Sequence, residues 1–102
     1  MHESRIYVDF NEMPTASEVL LSKSDTKVDS SGKTIHFVDG MPVAVYMDDK
    51  DEHGCPDNLI AEGIARRNHH GSWTAAARWL LVINERGIRH ESEERSYEQP
   101  EV

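Results

Sequence analysis

Trp73-Thr74-Ala75-Ala76-Ala77-Arg78-Trp79-Leu80-Leu81-Val82-Ile83 can be read in two ways, and the choice decides whether the chain is all-β or α+β. As a helix it places Trp73, Ala76, Ala77, Leu80 and Leu81 on one stripe, with Ser72 as N-cap and three alanines of high helix propensity. As a strand it places Trp73, Ala75, Ala77, Trp79, Leu81 and Ile83 on one face. The strand would then run into Asn84-Glu85-Arg86-Gly87, a hairpin turn ahead of Ile88-Arg89-His90. Turn chemistry on both flanks favours the strand. A helix over 72–83 is the alternative, and it would make the fold α+β.

The upstream segments agree with the strand. Residues 5–10 alternate polar and apolar groups and stop before Met13-Pro14. Residues 17–21 are read as a strand over a short helical turn. Residues 22–32 are rich in Ser, Asp and Gly and read as turns. Residues 34–38 are β-branched and aromatic, and Asp39-Gly40 supplies a tight turn into residues 42–47, so these two segments form a predicted hairpin. Its second arm would turn Val43, Val45 and Met47 to the core and Tyr46 to the other side. An acidic loop follows at 48–58. Apolar character returns at 59–65, where Gly63 predicts a bulge or bend rather than an uninterrupted strand. Residues 66–72 read as another turn.

Short strands about ten residues apart, separated by Gly and Asp turns, predict an all-β, single domain over residues 5–90, a small barrel or related β-roll. The run Asp39-Gly40-Met41-Pro42-Val43-Ala44-Val45-Tyr46, a long loop, Ala61-Glu62-Gly63-Ile64-Ala65 and Ser72-Trp73-Thr74-Ala75 resembles the rhythm of SH3-like barrels. That resemblance covers about forty residues, rests on spacing, and implies a strongly bent hairpin. Residues 91–102 have almost nothing to bury and predict a flexible, disordered acidic tail. With 102 residues, 37% hydrophobic and 29% charged, the chain has material for one core. The single cysteine, Cys55, excludes an internal disulfide and suits a reducing compartment. The start Met1-His2-Glu3-Ser4-Arg5 lacks a basic and apolar leader, and no apolar run approaches a membrane span. A bacterial cytoplasmic protein without a membrane role is the expectation.

Each candidate for chemistry fails at a particular residue. His53, Cys55, His69 and His70 are zinc-type ligands, but one residue separates His53 from Cys55, and adjacent histidines point apart in an extended chain. Asp49-x-Asp51-x-His53-Gly54 begins like a calcium loop, yet Ile60 stands where the bidentate carboxylate is needed. Cys55 has His53 nearby as a base but no orienting third group. The carboxylates Asp48, Asp49, Asp51 and Glu52 sit in a Gly/Pro loop, where solvation leaves them ordinary acids. No phosphate loop, nucleophile elbow or zinc-protease motif is present. The expectation is a non-enzyme with no metal and no cofactor.

The charge pattern is more informative. Net charge is −8, distributed as −8 over residues 1–65, +4 over 66–90 and −4 over 91–102. Arg66, Arg67, Arg78, Arg86 and Arg89, with Trp73 and Trp79, are the candidate binding residues: arginine forks suit carboxylate or phosphate, and exposed tryptophan stacks on bases. The competing reading buries the tryptophans and pairs the arginines with the acidic loop at 48–57 and the tail. Because a net −8 opposes phosphate binding, the expected function is an accessory or regulatory protein-interaction module. A nucleic-acid-associated barrel is the alternative. Exposed edge strands also allow a homodimer.

Overall fold

The computed structural model describes residues 4–71 and 76–93. Its strands are β1 (Ile6–Tyr7), β2 (Glu18–Ser22), β3 (Thr26–Val28), β4 (Thr34–His36), β5 (Pro42–Met47), β6 (Leu59–Arg67), β7 (Trp79–Ile83) and β8 (Arg89–His90). Six of them form one curled sheet in the order β1-β5-β6-β7-β2, with β8 on β6, while β3 and β4 form a small antiparallel sheet of their own. Residues 91–93 are helical. The fold is therefore largely β, and over residues 76–83 the helical alternative does not hold. Trp73 and Ala75 lie outside the described residues.

The centre of the sheet is the antiparallel pair β5 and β6, in register from Pro42 opposite Ile64 to Met47 opposite Leu59. Val43 and Val45 are buried as the alternation predicts, whereas Met47 is only half-buried, its sulfur accepting the Phe10 N–H at 3.4 Å. On β7, Trp79, Leu81 and Ile83 are buried, and on β6 the small Ala61 and Ala65 are fully enclosed. Small residues on the middle strand leave the concave face room for Trp79 and Phe37, whose rings meet at 5.9 Å. Each large aliphatic enclosed this way stabilises the fold by roughly 1.5–3 kcal/mol.

Several connections differ from the sequence reading, each for a local reason. The first strand is shorter than residues 5–10, because the Asp9 carbonyl accepts the Glu12 N–H and its carboxylate accepts the Asn11 N–H, turning the chain. Residues 22–32 are not all turn, since Thr26, Lys27 and Val28 pair with His36, Ile35 and Thr34. The hairpin across Asp39-Gly40 does not form: β4 pairs with β3, and β5 pairs with β6 and, in parallel, with β1. Gly40, at φ +89°, donates its N–H to the Ala65 carbonyl at 2.7 Å, and this bond commits the chain after the turn to β6.

Strand β6 runs unbroken through Gly63 and on to Arg67, so neither the predicted bulge nor a turn starting at residue 66 is present. What Gly63 provides is clearance. A Cβ there would run into the Val82 carbonyl, whose carbon would lie 2.7 Å away. The turn at 84–87 forms, with Gly87 at φ +67° donating to the Asn84 carbonyl, but it does not make a hairpin onto β7. Strand β7 covers Gly63 to Arg67 of one β6 edge, leaving Leu59 and Ile60 of that strand to pair with β8. Beyond it, Ser92 donates from its N–H and hydroxyl to Asp57, and Glu91 accepts from Arg5, which ties residues 91–93 to the sheet. The rest of the predicted tail lies outside the described residues. Among the described residues no helix is long and apolar enough to cross a membrane.

Candidate functional site

The arginines of residues 66–90 fall into two groups, because antiparallel pairing sends the ends of β6 to opposite sides of the sheet. Arg66, Arg67 and Arg78 lie where β6 ends and β7 begins. Arg66 donates to Asp39 at 3.2 Å, and Arg78 donates to Asp25 at 2.8 Å. At the other end Nη2 of Arg89 donates to both oxygens of Glu62, at 2.8 and 2.9 Å, with Arg86 at 3.8 Å from the same carboxylate. Among the described residues, the carboxylates placed beside these arginines include Asp25 and Asp39, in turns, and Glu62, within β6. The partners expected from the sequence were the acidic loop at 48–57 and the tail, of which residues 94–102 lie outside the described residues.

Trp79 is buried and hydrogen-bonded. Its Nε1–H donates to Asp25 at 3.0 Å, and the Arg67 guanidinium lies over its ring at 5.0 Å from the centroid. That Trp79 bond, reinforced by Arg78 and Arg67, holds the Asp25 carboxyl below its ordinary value of 3.8. The indole face is therefore occupied by the protein itself, and Trp79 has no free ring for a base. Trp73 lies outside the described residues.

A different site emerges where the curl brings the two edges of the sheet together. Strands β1 and β2 are the outermost strands in the sheet order, yet one side chain reaches both: the Lys27 ammonium donates to the Tyr7 carbonyl at 2.6 Å and to the Leu21 carbonyl at 3.1 Å. The small sheet carries Lys27 into place on β3, anchored by reciprocal bonds between Arg5 and Ser30 and by the Phe37 N–H to the Asp25 carbonyl. Beside Lys27 the seam opens into a groove of about 500 Å³. Val8, Leu21 and Ala77 are its buried apolar lining. Asp9, Glu12, Lys23 and Lys27 bring charges of both signs to its lining, with Glu12 held beside β2 by the Leu20 N–H that its carbonyl accepts at 3.0 Å. Burial pushes the Lys27 ammonium below the ordinary lysine value of 10.5, with the Glu12 charge acting the other way.

No family model, curated protein or solved structure matches the chain.

The groove was missed in the sequence because a lysine between Thr26 and Val28, in a stretch of Ser and Asp, carries no mark of burial. The alternation of Thr26, Lys27 and Val28 opposite residues 34–36 is the one signal that could have found it. The zinc-type residues, by contrast, do not converge: no group of three His, Cys, Asp or Glu side chains suited to a metal occurs among the described residues. Cys55 is exposed, its N–H held by the Asp51 carboxylate at 3.0 Å, which also accepts the His53 N–H at 2.9 Å. His70 instead meets Glu18 at 3.0 Å, and His90 meets Asp49 at 2.9 Å.

Proposed function

We infer that the protein is a non-catalytic protein-interaction module, an accessory or regulatory domain built on a small barrel or β-roll of the SH3-like type. The groove beside the seam carries this reading: it is concave, apolar at its base, polar at its rim, and within the size range of binding clefts, about 300–1,000 Å³. Lys27 of the small sheet, bonded to both edge strands of the curled one, fits a barrel-like closure. A cytosolic setting suits the exposed thiol of Cys55. The arginines favour this reading over nucleic-acid binding, since Asp25, Asp39 and Glu62 already engage Arg78, Arg66 and Arg89.

The test is affinity capture from cell extract treated with nuclease, followed by reconstitution with the purified partner. A partner that survives nuclease and rebinds stoichiometrically is expected. Capture that disappears with nuclease, together with salt-dependent binding of RNA or DNA by anisotropy, would replace the reading with a nucleic-acid one.

A further inference from the structure

We propose that the groove beside the seam receives an extended peptide segment of a partner protein, lying in it with a main-chain carbonyl on the Lys27 ammonium. This rests on the interaction-module reading and names the chemistry of its ligand. Lys27 already collects main-chain carbonyls, one from each edge strand, at 2.6 and 3.1 Å. An ammonium has three N–H donors, so one remains beside the groove that Lys27 lines. A third main-chain carbonyl completes the set with the same chemistry as the first two.

The rim charges define the segment further. Acids, Asp9 and Glu12, and bases, Lys23 and Lys27, line the same groove. A ligand of single sign would meet like charge in the lining, whereas an extended peptide can carry side chains of both signs along its length. A basic residue toward Asp9 and Glu12, an acidic one toward Lys23, and a small apolar one over Val8 and Leu21 would satisfy both signs and the base. Strand-like peptides bound at sheet edges use this division, with main-chain bonds for affinity and alternate side chains for specificity.

The experiment pans a phage-displayed dodecapeptide library on the 102-residue protein, then titrates synthetic copies of the enriched peptides into ¹⁵N-labelled protein. Expected are amide shifts centred on Tyr7, Val8, Leu20 to Ser24 and Lys27. Affinity should fall at least about tenfold in Lys27→Met, which keeps the aliphatic stem and removes the donors. Because Lys27 also bridges the seam, a second variant, Ala76→Trp, fills the groove from an exposed position that holds no side-chain bond. It should abolish binding with its melting temperature unchanged, while Arg78→Ala binds as wild type does. Failure to enrich any peptide, shifts that map elsewhere, or equal binding by Ala76→Trp overturns the proposal. In the capture experiment, a partner retained equally by wild type and Ala76→Trp overturns the groove assignment and leaves the interaction module standing. No partner with either protein overturns the module itself.

Discussion

Replacing Gly63 by alanine perturbs the place where β6 and β7 approach most closely. The added Cβ would lie 2.7 Å from the Val82 carbonyl carbon and 3.0 Å from the Ile83 Cα, with the carbonyl oxygen nearer still. Carbon atoms in contact prefer about 3.5–4.0 Å, so the strands must part by about 1 Å. The obstacle is backbone on both sides, which cannot swing aside as a lysine tip would. Parting the strands stretches the ladder on each side of the Gly63 and Ile83 pair. Overpacking of this kind costs about 1–3 kcal/mol, and two weakened ladder bonds add about 0.5–1.5 kcal/mol each. Against this, alanine regains about 0.4–1 kcal/mol by restricting the unfolded chain. The net loss is about 1–5 kcal/mol, a large part of the roughly 5–15 kcal/mol that holds a domain of this size together. At about 4–8 °C per kcal/mol, the melting temperature should fall by roughly 5–40 °C. Thermal unfolding followed by far-ultraviolet circular dichroism measures this, with Gly71→Ala as control, since nothing lies within 4 Å of a Cβ at that position. A Gly63→Ala protein that melts with the control refutes the close-approach reasoning.

Four further outcomes are expected. Arg89→Ala should cost about 1.5–3 kcal/mol in urea unfolding, because its side chain is 10% exposed and holds both oxygens of Glu62. Arg66→Ala should cost about 0–1 kcal/mol, its pair with Asp39 being solvent-exposed. Asp25→Ala should lower the melting temperature by several degrees and raise the quenching of Trp79 by acrylamide, since it removes the acceptor of the indole N–H. The pairing of His90 with Asp49 should make stability depend on pH. The Asp49 bond raises His90 above 6.5, so its contribution is complete below 6.5 and is lost as pH rises through the higher folded value. The His90 bond lowers Asp49 below 3.8, so its contribution is present above 3.8 and is lost as pH falls through the lower folded value. Urea midpoints of wild type and His90→Gln should therefore differ most between pH 3.8 and 6.5 and converge at alkaline pH.

Local pattern revealed the strands that bury one face and misled on how they pair. Val43 and Val45, or Leu81 and Ile83, announce themselves by alternation, and β5 and β7 were legible from it. Pairing depends on which edges stay vacant, and turn residues do not encode that. Asn84-Glu85-Arg86-Gly87 forms its turn, yet β8 takes the unused start of β6, because β6 is longer than the β7 edge beside it. Strand β3 was hidden because Thr26, Lys27 and Val28 sit among turn formers, and Lys27 gains its burial from the seam while Val28 stays exposed. The arginine interval was visible as charge, but its partners were not. Asp25 and Asp39 lie far from it in sequence and come to it only through the sheet.

The order of strands in space also bears on when the protein can fold during synthesis. Both edges of the large sheet come from the first 22 residues, while the strands between them come from residues 42–83. The segments made first must wait for the strands that separate them. A ribosome-bound chain ending before Ile83 would hold β1 and β2 without a finished sheet to join, and its loop closures are long. Such topologies fold slowly, and their unpaired edges invite misassembly meanwhile. The Lys27 bridge, which needs both edges in place, then belongs to the last stage of assembly.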